Sequence, residues 1–281
     1  MSAEVQERRF PVRGLQLAAR LWQPASTRPL IALHGWLDNA ASFDVLAPQL
    51  QEYQVLAPDL AGQGFSDHRP LSATYHLWDD LLDIVLLADL MGWQQFSLLG
   101  HSRGAMLSVM LAAAFPERVQ QLFLVDGVLP LPVTTSDTAQ QLRRYVEGYR
   151  RERSHRYAAS RSEAVHWRAE TGGIGEAVAE ILASRQLRES PHGWYWHVDQ
   201  RLKAASAVKM TDAHNDALLA AIRCPVTIFL ASRGLGSHPA MQELQQRWPG
   251  FDWRILDGHH HLHMTDSAGE IAAQCLASLS C

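Results

Sequence analysis

The sequence predicts an α/β protein with a mostly parallel sheet, interrupted by a helical insertion. Short apolar runs of strand length alternate with helical segments from Pro29 to Val125, the order that builds parallel strands joined by right-handed crossovers. The run Ser97-Leu98-Leu99 closes on Gly100-His101-Ser102-Arg103-Gly104 and passes straight into an Ala/Leu/Met-rich helix. From Pro130 to about Leu219 the alternation stops, and it resumes at Cys224. These observations divide the 281 residues into a sheet domain, 1–130 and 220–281, and an inserted helical cap, 131–219.

Each element has its own local signal. Val5–Val12 and Leu15–Trp22 alternate and read as antiparallel strands turning at Arg13-Gly14. Pro29–Leu33 is apolar throughout, as expected of a strand covered on both faces, and runs into the polar loop His34–Asn39. Ser42 is placed to cap a helix reaching about Leu50. The strand Gln54–Ala57 leads into the Gly-rich loop Pro58–Asp67, which lacks the Lys-Ser/Thr ending of a phosphate loop and the full dinucleotide fingerprint. Tyr75–Met91 carries apolar residues at helical spacing and ends at Gly92. After the elbow helix, Leu122–Val125 is a buried strand with Asp126 at its end, and Cys224–Ala231 and Trp253–Leu256 are the last two strands. A helix is expected between them near Pro239–Trp248, and another from about Ser267. Inside the cap, Gly172-Gly173 and Ser190-Pro191-His192-Gly193 read as breaks between helices. Residues 139–170 hold eight Arg against four Glu, read as solvated helix faces with i,i+4 pairs in preference to a polyanion site.

Composition narrows the function classes. A net charge of −4 gives no footprint for nucleic acid, and 47% hydrophobic with 19% charged residues fits a folded domain. Three cysteines without C-x-x-C spacing form neither a disulfide framework nor a zinc site. No apolar leader and no run of membrane-spanning length is present, so the expectation is a cytoplasmic protein acting on a small-molecule substrate, with neither a membrane nor a nucleic-acid partner.

Gly-x-Ser-x-Gly at a sharp strand-to-helix turn is the nucleophile-elbow pattern. Gly100 and Gly104 stand where a Cβ would clash, and Ser102 is held beside a helix N-terminus whose free N–H groups can stabilise an oxyanion. A serine hydroxyl needs a base, and histidine is the side chain suited to that near neutral pH. Four histidines, His259, His260, His261 and His263, crowd after the last strand. Such a tract could instead bind a metal, but no carboxylate or Cys cluster in the sequence supports that, and no metal is assigned. His34 and His101 read as buried structural residues. Trp194 and Trp196, in an aromatic group of the cap, either line a pocket or pack the cap on the core.

With His34-Gly35-Trp36, the loop Pro58–Asp67, the elbow and Gly258-x-His260-x-x-His263 in this order, the chain resembles the α/β-hydrolase fold superfamily along nearly its whole length. His34–Asp38, the elbow and Tyr195–Leu202 are most similar to the serine hydrolase-like proteins. The resemblance implies an eight-stranded mixed sheet, a helical cap after the sixth strand, and no cofactor. It implies Ser102 as nucleophile, His260 as base, and the backbone N–H groups of Trp36 and Arg103 as oxyanion donors. It disfavours dehalogenase and epoxide hydrolase chemistry, which needs a carboxylate where Ser102 stands.

One part of the pattern is missing. The family's usual acid follows the seventh strand, and here that loop, Ala231–Ser237, has no carboxylate. Asp126 is the expected substitute: some relatives take their acid from this strand end, and a lone Asp in an apolar run needs a partner that the His260 N–H would supply. Asp257 is the rival, but its short link to His260 makes the approach awkward. The expected activity is hydrolysis of an ester or related acyl bond through an acyl-enzyme, in the manner of a carboxylesterase. A ligand-binding relative without turnover, or a carbon–carbon hydrolase or lyase using the same Ser and His, stays open. Asp38, Trp194 and Trp196 are candidate substrate contacts. Arg103 either binds a substrate carboxylate or forms an ion pair, for instance with Asp38.

Overall fold

The computed structural model describes residues 5–280. Strands β1 (Val5–Val12), β2 (Leu15–Trp22), β3 (Pro29–Leu33), β4 (Gln54–Pro58), β5 (Phe96–His101) and β6 (Val119–Val125) precede the insertion. Within it β7 (Leu187–Ser190) and β8 (Gly193–Trp196) form a separate hairpin, and β9 (Val226–Ala231) and β10 (Asp252–Leu256) follow. The main sheet has eight strands in the order β1-β2-β4-β3-β5-β6-β9-β10. The β1–β2 and β2–β4 pairs are antiparallel and all others parallel.

The central strands carry unbroken apolar stretches, Leu30–Leu33, Leu98-Leu99 and Leu122–Val125, because both faces are covered there. Ile31, Leu33, Leu98, Leu122 and Leu124 face a layer that includes α1 (Asp79–Leu90) and α2 (Arg103–Ala114). Their neighbours Leu30, Ala32, Leu99, Phe123 and Val125 face the opposite layer, closed by the C-terminal helix. The chain leaves β3 to one side for β4 and returns on its other side as β5. Loops after β3 and β5 therefore diverge at the carboxyl edge, the crevice where open α/β sheets place their ligands.

Two expectations change. The helix expected from Ser42 to Leu50 is a pair of short 3₁₀ turns, Ala40–Phe43 and Ala47–Gln49. Pro48 has no N–H to continue a helix, and Asn39 rather than Ser42 caps the first turn, accepting from Ala41 N at 3.0 Å. In the cap, α3 (Thr138–Arg150), α4 (Arg161–Gly172) and α5 (Glu176–Gln186) are helices, with Gly173 in the left-handed conformation that ends α4. The break at 190–193 is instead the turn of the β7–β8 hairpin, with Gly193 at φ 113°.

Helix α6 (Asp212–Ala221) begins within the segment 131–219 and runs past its end, and Leu219, with Ile222 beyond it, packs in the α2 layer of the sheet. Helix α7 (Pro239–Arg247) joins β9 to β10, and α8 (Ala268–Ala277) closes the far layer. The cap is pinned to the sheet domain by a buried ion pair. Arg185 of α5 is fully buried and donates from Nε to both oxygens of Asp59, at 2.9 and 2.8 Å. Asp59 also accepts from the backbone N–H groups of Ala40 (2.7 Å) and Phe65 (2.8 Å), so its charge is well satisfied. Among the described residues no helix is long and apolar enough to cross a membrane.

Candidate active site

Ser102 joins β5 to α2 at φ 52°, ψ −113°, a conformation that non-glycine residues rarely adopt. Its flanks explain why it is held there. A Cβ on Gly104 would run into the Leu33 carbonyl, and one on Gly100 would meet the backbone of Gly104 and Ala105. The packing of α2 against β3 thus requires glycine on both sides of the serine. The backbone N–H groups of Trp36 and Arg103 donate to no acceptor among the described residues, which leaves them free to bind an oxyanion.

Asp126 ends β6 with φ 41° and is fully buried. Its Oδ1 accepts from the N–H groups of Ala231 (2.9 Å) and Leu235 (3.0 Å), and its Oδ2 accepts from His260 Nδ1 at 2.6 Å. The loop after β9, which lacks a carboxylate of its own, wraps the one from β6. A Cβ on Gly234 would collide with Asp126 Oδ2, so glycine there makes room for the imported acid. Because Nδ1–H donates to Asp126, the lone pair of His260 lies on Nε2, the atom a base would use. The His260 side chain is 40% exposed, while the Ser102 hydroxyl takes no hydrogen bond among the described residues. Asp257 lies elsewhere, bonded to Ser232 (3.0 Å) and Arg233 (2.7 Å).

A second histidine–carboxylate pair sits beneath the first. His261 Nε2 donates to Asp38 Oδ2 at 3.0 Å, and Arg168 of α4 donates to Asp38 Oδ1 at 2.8 Å. Burial alone would raise the Asp38 pKa, but His261 and Arg168 outweigh it and hold the carboxyl well below its usual range. His101 is buried between the two pairs and donates from Nε2 to the His260 carbonyl at 3.0 Å, tying the histidine loop to β5. Burial, reinforced by His263, pushes its pKa well down. His34 accepts from Leu60 N–H at 3.0 Å and lies next to the Gly35 carbonyl, a structural setting.

Asp38, His101 and His261 bring three possible metal donors within 4.8 Å of one another. That carboxylate is already bonded on both oxygens, and the Arg168 guanidinium against it opposes a second cation.

Between the loop after β3 and the cap lies a cavity of about 360 Å³, walled by Trp36, Trp167 and Trp196. Its lining reaches Trp36 and Leu37 of the loop after β3 but not Ser102 or His260. Of the three candidate substrate contacts only Trp196 lines it. Trp194 packs inside the cap against Ala158 and its neighbours, and Asp38 is buried below the cavity floor with its oxygens engaged. The ion pair suggested for Arg103 also changes partner: its guanidinium donates to Asp80 of α1 at 2.5 Å, not to Asp38. Sequence reasoning missed Arg168 and Trp167, whose roles come from the way α4 lies over the sheet edge. The arginine surplus of 139–170 was the one signal pointing there.

Sheet order, elbow and inserted cap together define an α/β hydrolase. The family model described as alpha/beta hydrolase fold matches residues 28–267, and the chain belongs to that family. It is 25% identical to a serine hydrolase-like protein of Danio rerio over 95% of this chain and 86% of the relative. It is 30% identical to a Drosophila melanogaster protein called probable serine hydrolase, over 88% of this chain and 79% of that one. A crystal structure of a hypothetical protein from Pseudomonas aeruginosa matches with a TM-score of 0.91 and 39% identity, covering 98% of this chain and 99% of the other.

Proposed function

We propose that this chain is a serine acyl hydrolase that cleaves an ester or related acyl bond of a small molecule by a Ser102–His260–Asp126 triad. The observation that carries the reading is the 2.6 Å contact between His260 Nδ1 and Asp126 Oδ2, beside a strained serine at a sheet switch point. Ser102 Oγ attacks the acyl carbon as His260 Nε2 takes its proton, and the Trp36 and Arg103 amides stabilise the tetrahedral oxyanion. The carbon–oxygen bond to the alcohol then breaks, and the His260 imidazolium returns the proton to the leaving group. Water repeats the sequence on the acyl-enzyme and frees Ser102. Asp126 keeps the proton on Nδ1 and stabilises the transient imidazolium. The Ser102–His260 hydrogen bond forms when substrate seats, as catalytic contacts commonly tighten in the Michaelis complex.

The test is turnover of 4-nitrophenyl butyrate by wild type and Ser102→Ala, both checked for folding. Wild-type turnover with loss of about 10³-fold or more in the variant supports the reading. Equal rates remove Ser102 as nucleophile, and no turnover in either favours a ligand-binding relative.

A further inference from the structure

The cavity beside the oxyanion loop has a one-sided charge. Its lining contains no Asp or Glu, and three of its side chains are cations: Arg156, Arg168 and Lys203. Arg168 is neutralised by Asp38 at 2.8 Å. Arg156 forms no ion pair among the described residues; its guanidinium lies 3.4 Å over the Trp167 ring. Stacking of that kind occupies the face of the fork and leaves its edge N–H donors for a ligand. Lys203 Nζ donates to Gln200 Oε1 at 2.8 Å and has no carboxylate partner among the described residues. Lys203 is exposed, and partial desolvation together with the nearby charge of Arg153 lowers its pKa, so an anion there would offset a local excess of positive charge.

Arg156 and Arg168 account for part of the arginine surplus in 139–170. Arg143 pairs with Glu147 and Arg161 with Glu180, as solvated helix faces do. Arg156 does not, and it faces the cavity. Arg156 and Lys203 are both exposed, so their positive field reaches an anion approaching the cavity mouth.

We propose that this cavity selects acyl esters carrying an anionic group, a carboxylate in the simplest case, which Arg156 and Lys203 hold while the apolar chain lies along Trp36, Trp167 and Trp196. The proposal rests on the acyl-hydrolase reading for the bond that is cut, but the anion site stands on its own geometry.

Four esters with the same six-carbon acyl length test it: 4-nitrophenyl hexanoate, mono-4-nitrophenyl adipate with the carboxylate on the acyl side, 4-carboxyphenyl hexanoate with it on the alcohol side, and phenyl hexanoate. One of the two anionic esters should show kcat/KM about five- to tenfold above its neutral counterpart, phenyl hexanoate serving for the third. The advantage should shrink in 0.5 M NaCl and fall toward unity in the R156Q/K203Q double variant. A separate measurement needs no turnover: Ser102→Ala should bind adipic acid monoanilide more tightly than hexananilide by calorimetry, by a similar factor. Wild-type turnover with no preference for either anionic ester and no difference in binding overturns the anion site while leaving the hydrolase reading intact. Tighter binding of the anionic anilide without any turnover does the reverse. A preference that survives the double variant also overturns the assignment.

Discussion

His260 and His261 are neighbours in sequence, and each donates to a buried aspartate, yet they sit in opposite surroundings. The His260 side chain is 40% exposed at the reactive edge and its carboxylate, Asp126, is held by two backbone amides. The His261 side chain is 9% exposed and shares Asp38 with a guanidinium from the cap. A histidine that must exchange protons with substrate needs an open ring face and a carboxylate with no competing cation. A histidine that fastens a loop to a cap needs the reverse. On the proposed mechanism the first pair does the chemistry and the second holds position.

Replacing each histidine separates the two most sharply. His260→Ala should lower kcat by about 10⁴-fold or more with little change in unfolding midpoint. His261→Ala should leave the kcat of folded protein within about tenfold of wild type and lower stability by about 1–3 kcal/mol, since Asp38 loses a donor. The carboxylates follow in order. Asp126→Asn should lower kcat by about 10³- to 10⁴-fold through loss of tautomer control, whereas Asp38→Asn should destabilise by about 3 kcal/mol as Arg168 loses its counter-charge. Steady-state kinetics beside urea unfolding reads both, and a catalytic loss in the Asp38 variant larger than in the Asp126 variant would erase the distinction.

The buried side also titrates through stability. Burial lowers the pKa values of His34, His101 and His263. Their unfolded forms bind protons more readily, so the stabilisation is complete above about pH 6.5 and is lost as pH falls toward the folded-state values. The expected slope is up to about 1.4 kcal/mol per pH unit for each histidine in that window. Asp38, with its lowered pKa, adds a loss only below about pH 4. A urea midpoint unchanged between pH 7.5 and 5.5 would contradict this. The smallest effect belongs to Arg103→Met. Its guanidinium is taken by Asp80, so neutral and carboxylate esters should lose activity equally, with about 1 kcal/mol of stability.

Local signals made the sheet and the elbow legible: apolar runs read as two-faced strands, and Gly100 and Gly104 bracket a turn that tolerates no Cβ. The absence of a carboxylate from Ala231–Ser237 and the lone Asp126 in an apolar run pointed to their contact with His260. What escaped depends on partners far away in the chain. Asp38 meets Arg168 across 130 positions, and Arg103 meets Asp80 of α1. Pattern along a segment carries no record of such meetings. The β7–β8 hairpin was hidden for the same reason, its four-residue strands being stabilised by cap packing around Leu187, Trp194 and Trp196.

The rate at which a fluorophosphonate probe modifies Ser102, followed by intact mass in wild type, Asp126→Asn and Asp38→Asn, tests the central distinction most directly. The expected result is labelling slowed by orders of magnitude in Asp126→Asn and within a few-fold of wild type in folded Asp38→Asn. Wild-type labelling in Asp126→Asn, or a collapse confined to Asp38→Asn, would contradict it.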